Sequence, residues 1–374
     1  MAWNYARLLT ARGHEVTTFT PLYKKNALPH AEEASERCGR VIRLKPVLQY
    51  GNAAFLPQLT WKLGNFDAVI FHYPFFGAVK GIFNAKFFGL FKGKLILQYH
   101  MDVTGLSPLA WAASWPSKLL LPGLIRQADS VLSASLDYVS ESNIKKYYKK
   151  HPNKFIELPF GADLKRFYPA GDELGMEHEL GRGALGGSED VRKKKTILFV
   201  GGLDQAHYFK GLGILLRAVK GMKTVDAKLL VIGEGALKES YGKLALELGI
   251  NGRVKFIGSV PYDELPKYYR EADVFVLPSV TKGEAFGLVL VEALASGVPV
   301  IASRLAGVRS VFTDGREGLL NAPGNSKDLS EKIDFILSNE DLRKRMGKAA
   351  RKLALEKYDW EKVGDRLEEI ISTK

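Results

Sequence analysis

The chain has 374 residues, more than a single hydrophobic core usually organises, so we predict two domains. Its 46% hydrophobic and 25% charged residues are typical of a soluble globular protein, and no run approaches the ~18 apolar residues of a membrane-spanning helix. The one cysteine, Cys38, excludes an internal disulfide and a cysteine-based metal cluster, and the amino terminus lacks the pattern of a signal peptide. Together these features favour a reducing, cytoplasmic location.

Positive charge is concentrated in the first half. Residues 1–170 hold 22 Lys and Arg against 11 Asp and Glu, whereas the rest of the chain holds 32 against 30. Such asymmetry predicts contact with an anionic surface. Since no nucleic-acid recognition motif is present, we favour peripheral contact with an anionic membrane at its inner face, or a lipid acceptor, over nucleic acid. A solvated basic surface without a partner is the open alternative.

Strands alternate with helices along this half, which predicts a parallel, doubly wound sheet. A helix at Trp3–Arg12, ended by Gly13, precedes the first predicted strand, Glu15–Thr20. Because an α/β domain is expected to begin with a strand, we expect that the chain starts late or lacks that strand. The other predicted elements are a helix over 135–148 and the strands Val41–Leu44, Ala68–His72, Lys94–Tyr99, Ser130–Ala134 and Lys154–Leu158.

Two aromatic stretches depart from this regular pattern. Ala78–Phe91 mixes four phenylalanines with Lys80 and Lys86, and Thr104–Ile125 carries Trp111, Trp115 and a leucine cluster around Lys118. Core packing explains such residues, and so does a basic, aromatic face that enters a membrane interface. The sequence leaves both interpretations open.

The second half begins after a stretch rich in glycine and charge, 170–194, which we interpret as a linker or exposed loop. A strand at Thr196–Val200 then runs into Gly201 and Gly202, and strands and helices alternate again. This pattern predicts a second Rossmann-like domain. The predicted division is therefore 1–169 for the first domain, 170–194 for the linker, 195–357 for the second domain and 358–374 for a closing helix.

Lys282–Ser303 is the most informative stretch of the second half. Glu284 and Glu292 lie eight positions apart, with Phe286 and Gly287 between them at the start of an apolar helix. Apolar strands precede and follow it, so Glu284 is predicted at the carboxyl edge of a parallel sheet, where ligands bind. Gly287 would let main-chain N–H groups approach an anion. The alternative is an amphipathic core helix with two solvated acids.

Three other positions join this constellation. The Gly201–Gly202 turn offers main-chain N–H groups to a phosphate, and Lys210, near the next helix, can neutralise a diphosphate. His100 and Asp102 follow a strand, which predicts the same edge in the first domain. Taken singly, Lys210 is better explained as a solvated lysine, and His100 is explained equally well as a structural histidine.

In this order and spacing, the motifs resemble those of the retaining, nucleotide-sugar-dependent glycosyltransferases of the GT-B fold, family 4, which contains phosphatidylinositol mannosyltransferases and sucrose synthases. The resemblance covers nearly the whole chain. Its elements are RGHEVTTFTP, YHMD, LPFGADLKRFYP, VGGL with the later KG, VIGEG, VKFIGSVPYDELPKYYREADVFVLPS, and above all the E-x7-E of GEAFGLVLVEALASGVPVIAS.

The resemblance implies two Rossmann-like domains facing across a cleft, with the last helix, Trp360–Ile371, crossing back onto the first. It implies transfer of a hexose from a UDP- or GDP-linked sugar to a hydroxyl of a lipid or glycan. His100 would line the reacting centre, Glu284 would hold the donor sugar, and Lys210 would bind the diphosphate. The other implied donor-binding residues are Gly201, Gly202, the Ile257–Leu265 segment with Val260 for the base, Phe286, Gly287 and Leu288 for sugar and phosphate, and Glu292 for the ribose.

No Asp-x-Asp occurs in the chain, so we expect no metal and no other cofactor. No residue is an obvious nucleophile, which suits the front-face, same-side transfer that the resemblance implies. Gly202 stands where the family usually has Arg, and Lys210 comes later than usual, with His207 as a partial substitute. The family's opening Gly-Gly loop is also absent. A catalytically impaired nucleotide-sugar-binding protein is therefore the alternative; E-x7-E argues against a phosphorylase or an epimerase.

Overall fold

The computed structural model describes residues 1–22, 39–50, 53–103, 108–171 and 194–373, with only the main chain described at 50, 53 and 108–113. Internal contacts divide the chain into unit 1, Met1–Phe160 with Glu361–Lys374, and unit 2, Gly161–Trp360. The predicted boundary at 169 thus differs from the observed one. Ala162 explains the difference, because its N–H donates to the Tyr358 carbonyl at 2.8 Å, inside unit 2. The predicted linker, 170–194, lies almost wholly outside the described residues.

Unit 1 alternates strands and helices as predicted. Its strands are β1 (Thr17–Pro21), β2 (Arg40–Leu44), β3 (Leu48–Tyr50), β4 (Ala53–Phe55), β5 (Ala68–Tyr73), β6 (Lys94–Tyr99), β7 (Ser130–Ser133) and β8 (Phe155–Glu157). Its helices are α1 (Ala2–Ala11), α2 (Leu59–Lys62), α3 (Phe76–Phe87), α4 (Pro108–Gln127), α5 (Leu136–Glu141) and α6 (Lys145–Lys150). Among the described helices of the chain, none has the length and apolar character needed to cross a membrane.

The strands of unit 1 do not form one continuous sheet. In the described residues, β5, β6, β7 and β8 form a parallel sheet in that order, β1 and β2 form a separate parallel pair, and β3 and β4 form an antiparallel hairpin. A cavity of about 470 Å³ lies between β1 and β5 and is lined by residues of both strands. The predicted parallel direction of the main strands is confirmed, and within the described residues β1 and β2 are not hydrogen-bonded to the sheet of β5 to β8.

A helix predicted over 135–148 is broken in two. Ser142 adopts an extended conformation between α5 and α6. The next residue, Asn143, donates its main-chain N–H to both carboxylate oxygens of Asp102 at 3.1 Å. Because this N–H donates to Asp102, the N–H cannot also form a helical hydrogen bond, and the helix ends.

The last helix of the chain, α13 (Trp360–Ser372), packs in unit 1 from Glu361 onward. The Arg12 guanidinium lies 2.6 Å from the Asp365 carboxylate and 3.1 Å from that of Glu361. Lys94 donates to the carbonyl oxygens of Ile370 and Thr373 at 2.6 and 2.5 Å, at the carboxyl end of the helix. The predicted crossing of the last helix onto the first domain is thus confirmed.

Unit 2 continues the alternation. Its strands are β9 (Thr196–Val200), β10 (Lys228–Ile232), β11 (Val254–Gly258), β12 (Val274–Leu277), β13 (Val300–Ser303) and β14 (Gly318–Asn321). Its helices are α7 (Leu212–Gly221), α8 (Lys238–Glu247), α9 (Leu265–Arg270), α10 (Leu288–Ala295), α11 (Ser326–Ser338) and α12 (Glu340–Lys357). The short strand β14 was not predicted.

These six strands form one parallel sheet in the order β11-β10-β9-β12-β13-β14. This is the doubly wound Rossmann order, and the chain reverses direction across the sheet between β9 and β12. All four side chains of β12 are fully buried, as expected for a strand of a parallel sheet covered on both faces. The reversal leaves a crevice at the carboxyl ends of β9 and β12, which is where ligands of such sheets bind.

Candidate functional site

The loops that leave β9 and β12 carry most of the predicted donor-binding residues. Gly201 and Gly202 directly follow β9, and Ser279 follows β12 by two residues. The two strands are hydrogen-bonded neighbours, pairing Ile197 with Val274. The Gly201–Gly202 turn and Ser279, which are about a fifth of the chain apart in sequence, therefore lie at neighbouring strand ends on one edge of the sheet.

Lys210 and Glu284 form an ion pair at this point. The Lys210 ammonium lies 2.8 Å from Glu284 Oε2, and the side chains are only 15% and 11% exposed. The Ser279 hydroxyl donates to the same carboxylate oxygen at 3.3 Å. Nearly enclosed opposite charges attract strongly, so each holds the other in place.

The position of Lys210 depends on two glycines. A 3₁₀ turn, Gln205–Lys210, ends at Gly211, whose φ is +75°; a Cβ there would lie 2.0 Å from the Pro278 carbonyl oxygen. A Cβ on Gly201 would lie 2.5 Å from Cδ of Lys210. Gly201 therefore provides room for the lysine stem, and Gly211 lets the turn approach the end of β12. Because this turn precedes it, α7 begins at Leu212, two residues after Lys210.

His207 occupies the space beside Gly202. A Cβ on Gly202 would lie 2.8 Å from His207 Nδ1, and that nitrogen is 2.9 Å from both carboxylate oxygens of Asp204. Asp204 also accepts the N–H groups of Ala206 and His207, which caps the turn, and these bonds to His207 lower the pKa of Asp204. The sequence suggested His207 as a substitute cation but did not indicate its partner, Asp204.

The amino end of α10 follows Glu284 of the ion pair by only a few residues. Gly287 caps the helix with φ +87°, and Leu288 begins it. Phe286 is buried, and its ring makes a T-shaped contact with that of Tyr358. The first-turn N–H groups of a helix lack intrahelical partners and favour anions, which is consistent with the predicted contribution of Phe286, Gly287 and Leu288.

Glu292 lies about one turn into α10, next to tyrosine side chains. The Tyr269 hydroxyl donates to Glu292 Oε2 at 2.9 Å. Burial raises the pKa of Glu292 to about 7, although hydrogen bonds from Tyr269 and Tyr262 and the charge of Lys210 act in the opposite direction. Glu292 is thus not a solvated acid, which contradicts the alternative interpretation of this helix.

The segment predicted to contact the base is only partly connected to these acids. Ile257 is in β11, where it helps line a separate cavity of about 360 Å³, Val260 follows that strand, and Leu265 begins α9. The connection that the structure shows is through Tyr262, inside this segment, and through Tyr269, which lies beyond it and was not predicted. The sequence alone does not show whether a tyrosine packs in the core or also donates its hydroxyl to a carboxylate, because a buried tyrosine can do both.

In unit 1, His100 follows β6 and meets His72 at the end of β5. His72 Nδ1 and His100 Nε2 are 2.8 Å apart. The main-chain N–H of His100 donates to the main-chain carbonyl of Tyr73 at 2.9 Å. Burial lowers the pKa of His72 to about 3, and the charges of His100 and the amino-terminal ammonium lower it in the same direction. Burial, together with that ammonium, lowers the pKa of His100 to about 4. Both rings are therefore neutral at pH 7. His72 was not predicted.

Asp102, predicted beside His100, has a structural role. It is buried, and its carboxylate accepts the Asn143 N–H and the hydroxyl of Tyr99. These bonds hold the loop after β6 against the start of α6. Within the described ranges, no group of three or more His, Cys, Asp or Glu side chains is arranged to hold a metal ion.

Residues 187–353 match the family model described as Glycosyl transferases group 1. This part of the chain is a glycosyl transferases group 1 domain, and the names of the relatives support a transferase. It is 36% identical over 183 residues to the uncharacterized glycosyltransferase MJ1607 of Methanocaldococcus jannaschii, an alignment that covers 49% of this chain but only 45% of that relative. The phosphatidyl-myo-inositol mannosyltransferase of Mycobacterium leprae is 26% identical, with 98% of this chain and 90% of that protein covered.

Solved structures support the fold of this glycosyltransferase. Anabaena Alr3699/HepE, crystallised with UDP, superposes with a TM-score of 0.72 at 20% identity, covering 99% of this chain and 96% of that one. At this identity the likeness establishes the fold alone. The predicted GT-B fold of two Rossmann-like units is thereby confirmed.

Proposed function

We propose that this glycosyltransferase transfers a hexose, with retention of configuration, from a UDP- or GDP-linked sugar to a hydroxyl acceptor. One arrangement carries the proposal. In unit 2, Lys210 is in ion-pair contact with the buried Glu284, and its positive charge acts to lower the pKa of Glu292, at the point where Rossmann sheets bind nucleotides.

Each member of the arrangement suits one part of such a donor. The Glu284 carboxylate accepts hydrogen bonds from sugar hydroxyls, and Glu292 accepts them from the ribose. Lys210 and the N–H groups at the start of α10 neutralise the diphosphate. His100 lines the reacting centre on the acceptor side.

The chemistry of glycosyl transfer needs this cation. The transition state resembles an oxocarbenium ion, and negative charge develops on the departing phosphate oxygen. A preorganised ammonium and helix N–H groups stabilise that charge more than they stabilise the bound donor, so they lower the barrier. In this proposal Lys210 performs that function without a metal ion or another cofactor.

A thermal-shift screen tests the donor. The purified chain is heated with UDP, GDP and ADP sugars, and a ligand at 100 times its Kd should stabilise the folded state by ~2.7 kcal/mol. Mannose and glucose donors are compared, since the Mycobacterium leprae relative is named a mannosyltransferase. Stabilisation by one nucleotide class and hydrolysis of its sugar donor support the proposal. If no nucleotide sugar shifts the transition, the proposal is wrong.

A protein that binds nucleotide sugars without turnover is the second candidate. Gly202 favours it, because the side chain beside this glycine is His207, held by Asp204, rather than a permanently charged arginine. Donor binding without hydrolysis or transfer to any added hydroxyl acceptor would support this candidate against the enzyme.

For the acceptor we propose a lipid hydroxyl, reached by peripheral contact with the inner face of an anionic membrane. Phe87 and Phe88, at the end of α3, are each 65% exposed, and Leu90, Trp115 and Leu119 are also exposed. They belong to the half of the chain that carries most of the excess positive charge. Exposed aromatic side chains together with basic charge favour anionic bilayers. The relative from Mycobacterium leprae is named for a phosphatidylinositol acceptor.

Sedimentation with liposomes tests this contact. We expect the chain to sediment with phosphatidylglycerol-rich liposomes at low salt, and the double variant Phe87→Ser, Phe88→Ser to remain in the supernatant. Phe335→Ser is the matched control, because Phe335 is 53% exposed but lies in unit 2. A wild-type chain that stays in the supernatant removes the membrane proposal.

A further inference from the structure

His72 is the member of the unit 1 histidine pair to which no role has yet been assigned. It lies at the end of β5, in register with Gln98 of β6, two residues before His100. Its Nδ1 lies 2.8 Å from Nε2 of His100, and the two rings are inclined by only 15°. Such a distance and alignment describe a direct N–H···N hydrogen bond.

Neighbouring rings hold the pair in this geometry. The Tyr5 ring lies 5.6 Å from that of His72, and the Phe160 ring lies 5.6 Å from that of His100. The Tyr5 hydroxyl donates to Gln98 Oε1 at 3.0 Å, which fixes Tyr5 in turn. The histidines therefore cannot rotate independently without disturbing a packed cluster.

One proton must lie between the two nitrogens. Both rings are neutral at pH 7, so each carries one proton, and only one of the two facing nitrogens holds a proton. The tautomers are consequently coupled. If His100 donates through Nε2, its Nδ1 is bare and accepts a hydrogen bond; if His72 donates, Nδ1 of His100 carries a proton.

We propose that His72 is a positioning residue that accepts the Nε2–H of His100, and so presents the bare Nδ1 of His100 to a substrate hydroxyl. This arrangement leaves both rings in the Nε2–H form, the more stable neutral tautomer of the histidine side chain. The role in turnover rests on the proposed function, in which His100 lines the reacting centre. The hydrogen bond itself does not rest on it.

Nitrogen NMR tests the hydrogen bond without any substrate. In wild-type protein labelled with ¹⁵N-histidine, we expect a protonated Nε2 and a bare Nδ1 at His100. A scalar coupling across the N–H···N bond should join that Nε2 to Nδ1 of His72. His100→Asn identifies the His100 signals. Absence of the coupling, or a proton on Nδ1 of His100, overturns the proposal.

Two substitutions test the positioning. His72→Leu removes the acceptor and should lower kcat by about 10- to 100-fold with the donor KM nearly unchanged, because the donor site is in unit 2 and misplacement of a reacting group affects kcat. His72→Asn retains an oxygen near the position of Nδ1 and should recover most of kcat. His151→Leu, at an exposed histidine of unit 1, is the matched control and should retain wild-type kcat.

The outcomes separate this proposal from the proposed function. A His72→Leu variant with wild-type kcat, or a His72→Asn variant as impaired as His72→Leu, overturns the positioning role. If wild-type protein turns over no nucleotide sugar, the proposed function fails, while the NMR coupling still decides whether His72 controls the tautomer of His100. Should His72→Leu fail to fold, the wild-type coupling and His72→Asn still give a result.

Discussion

The Lys210 ammonium lies 2.8 Å from Oε2 of Glu284, although 74 positions separate them in the chain. The contact joins the turn after β9 to the loop after β12, the two strands between which the sheet order reverses. A cation and an acid held together in this way are preorganised, because neither needs to move far when a charged ligand arrives. The pair therefore has measurable effects on both stability and turnover.

Replacing Lys210 by Met should lower kcat by about 10²–10³, because the developing phosphate charge loses its cation. It should also lower the free energy of unfolding by about 2–3 kcal/mol, since Glu284 would remain nearly enclosed without its partner. Steady-state kinetics and urea unfolding measure the two effects.

Lys243→Met is the control for this substitution. Lys243 pairs with Glu239 at 2.8 Å, but the side chains are 70% and 81% exposed, so its loss should leave stability within about 0.5 kcal/mol and kcat unchanged. Equal effects of the two variants would show that the enclosure of Lys210 has no special consequence.

Glu292 should make stability depend on pH. Its pKa is about 7 in the folded chain and 4.5 ordinarily, so the folded state binds more protons between these values. The free energy of unfolding contributed by this group is therefore highest below pH 4.5 and falls, by about 3 kcal/mol in all, as pH rises through 7. The histidine pair has the opposite dependence, with stability lost as pH falls from 6.5 toward 3.

The difference between wild type and Glu292→Gln isolates this carboxyl group. We expect wild-type stability minus variant stability to decrease from pH 4.5 to pH 7 in urea titrations. Two curves that run parallel across this range would contradict the raised pKa.

Nucleotide affinity should change in the other direction with pH. If ribose hydroxyls donate to Glu292, the ionised carboxylate binds them best, so wild-type Kd should decrease as pH rises through 7. Glu292→Gln should bind about tenfold more weakly above pH 7 and lose this dependence. Isothermal titration of UDP and GDP at pH 6 and 8 measures both quantities; a pH-independent wild-type Kd would exclude a ribose contact by this group.

Local pattern was sufficient for much of the fold and for part of the site. Thr196–Val200 and Lys94–Tyr99 are strands with the predicted bounds, because continuous apolar runs between turns leave few alternatives. The pairing of Lys210 with Glu284 could not be derived in this way, because it depends on strand order. Tyr269 and His72 were missed for a related reason. The polar partner of each lies in another segment of the chain, and the periodicity of apolar residues does not identify such partners.

Asp102 shows what a strand-end position does not reveal. Its position just after a strand, two residues from His100, predicted the same sheet edge, but it gave no sign that the carboxylate accepts the Asn143 N–H in a buried environment. A strand end places a residue at the correct edge of the sheet. It does not determine whether the side chain faces a ligand or closes the adjacent loop.

Gly211→Ala should be strongly destabilising. Gly211 has φ +75°, and the added Cβ would lie 2.0 Å from the Pro278 carbonyl oxygen. The left-handed conformation costs about 1–2 kcal/mol for Ala, and the clash adds about 1–3 kcal/mol. Donor binding should weaken as well, because relief of the clash moves Lys210. Urea unfolding and nucleotide titration measure these effects.

Gly249→Ala provides the comparison. Gly249 has φ +68° with nothing within 4 Å of the added Cβ, so this variant should show the conformational cost alone. Equal losses of stability in the two variants would mean that glycine is needed at position 211 only for its backbone conformation and not for the close approach to Pro278.

Arg12→Ala should loosen the last helix without unfolding unit 1. Arg12 is in contact with Glu361 and Asp365 and lies under α13, where a Cβ on Gly364 would be 2.8 Å from its guanidinium carbon. We expect amide exchange in residues 361–373 to become roughly tenfold faster, a change of about 1.4 kcal/mol in local opening. Mass spectrometry of peptides measures the exchange.

Arg366→Ala is the matched control, since Arg366 forms only an exposed pair with Glu369 among its described ion pairs. Its exchange pattern should resemble that of the wild type. Faster exchange in the control alone would show that Arg12 does not hold the helix.

The two bonds from Lys94 to the carbonyl oxygens of Ile370 and Thr373 affect how this protein should be produced. Lys94 begins β6, the strand that leads to His100. Trimming the chain before residue 370 would leave this ammonium without both acceptors, in the middle of unit 1. A purification tag is therefore better joined through a flexible spacer beyond residue 373 than substituted for the final turn of α13, and shortened expression variants should retain Thr373.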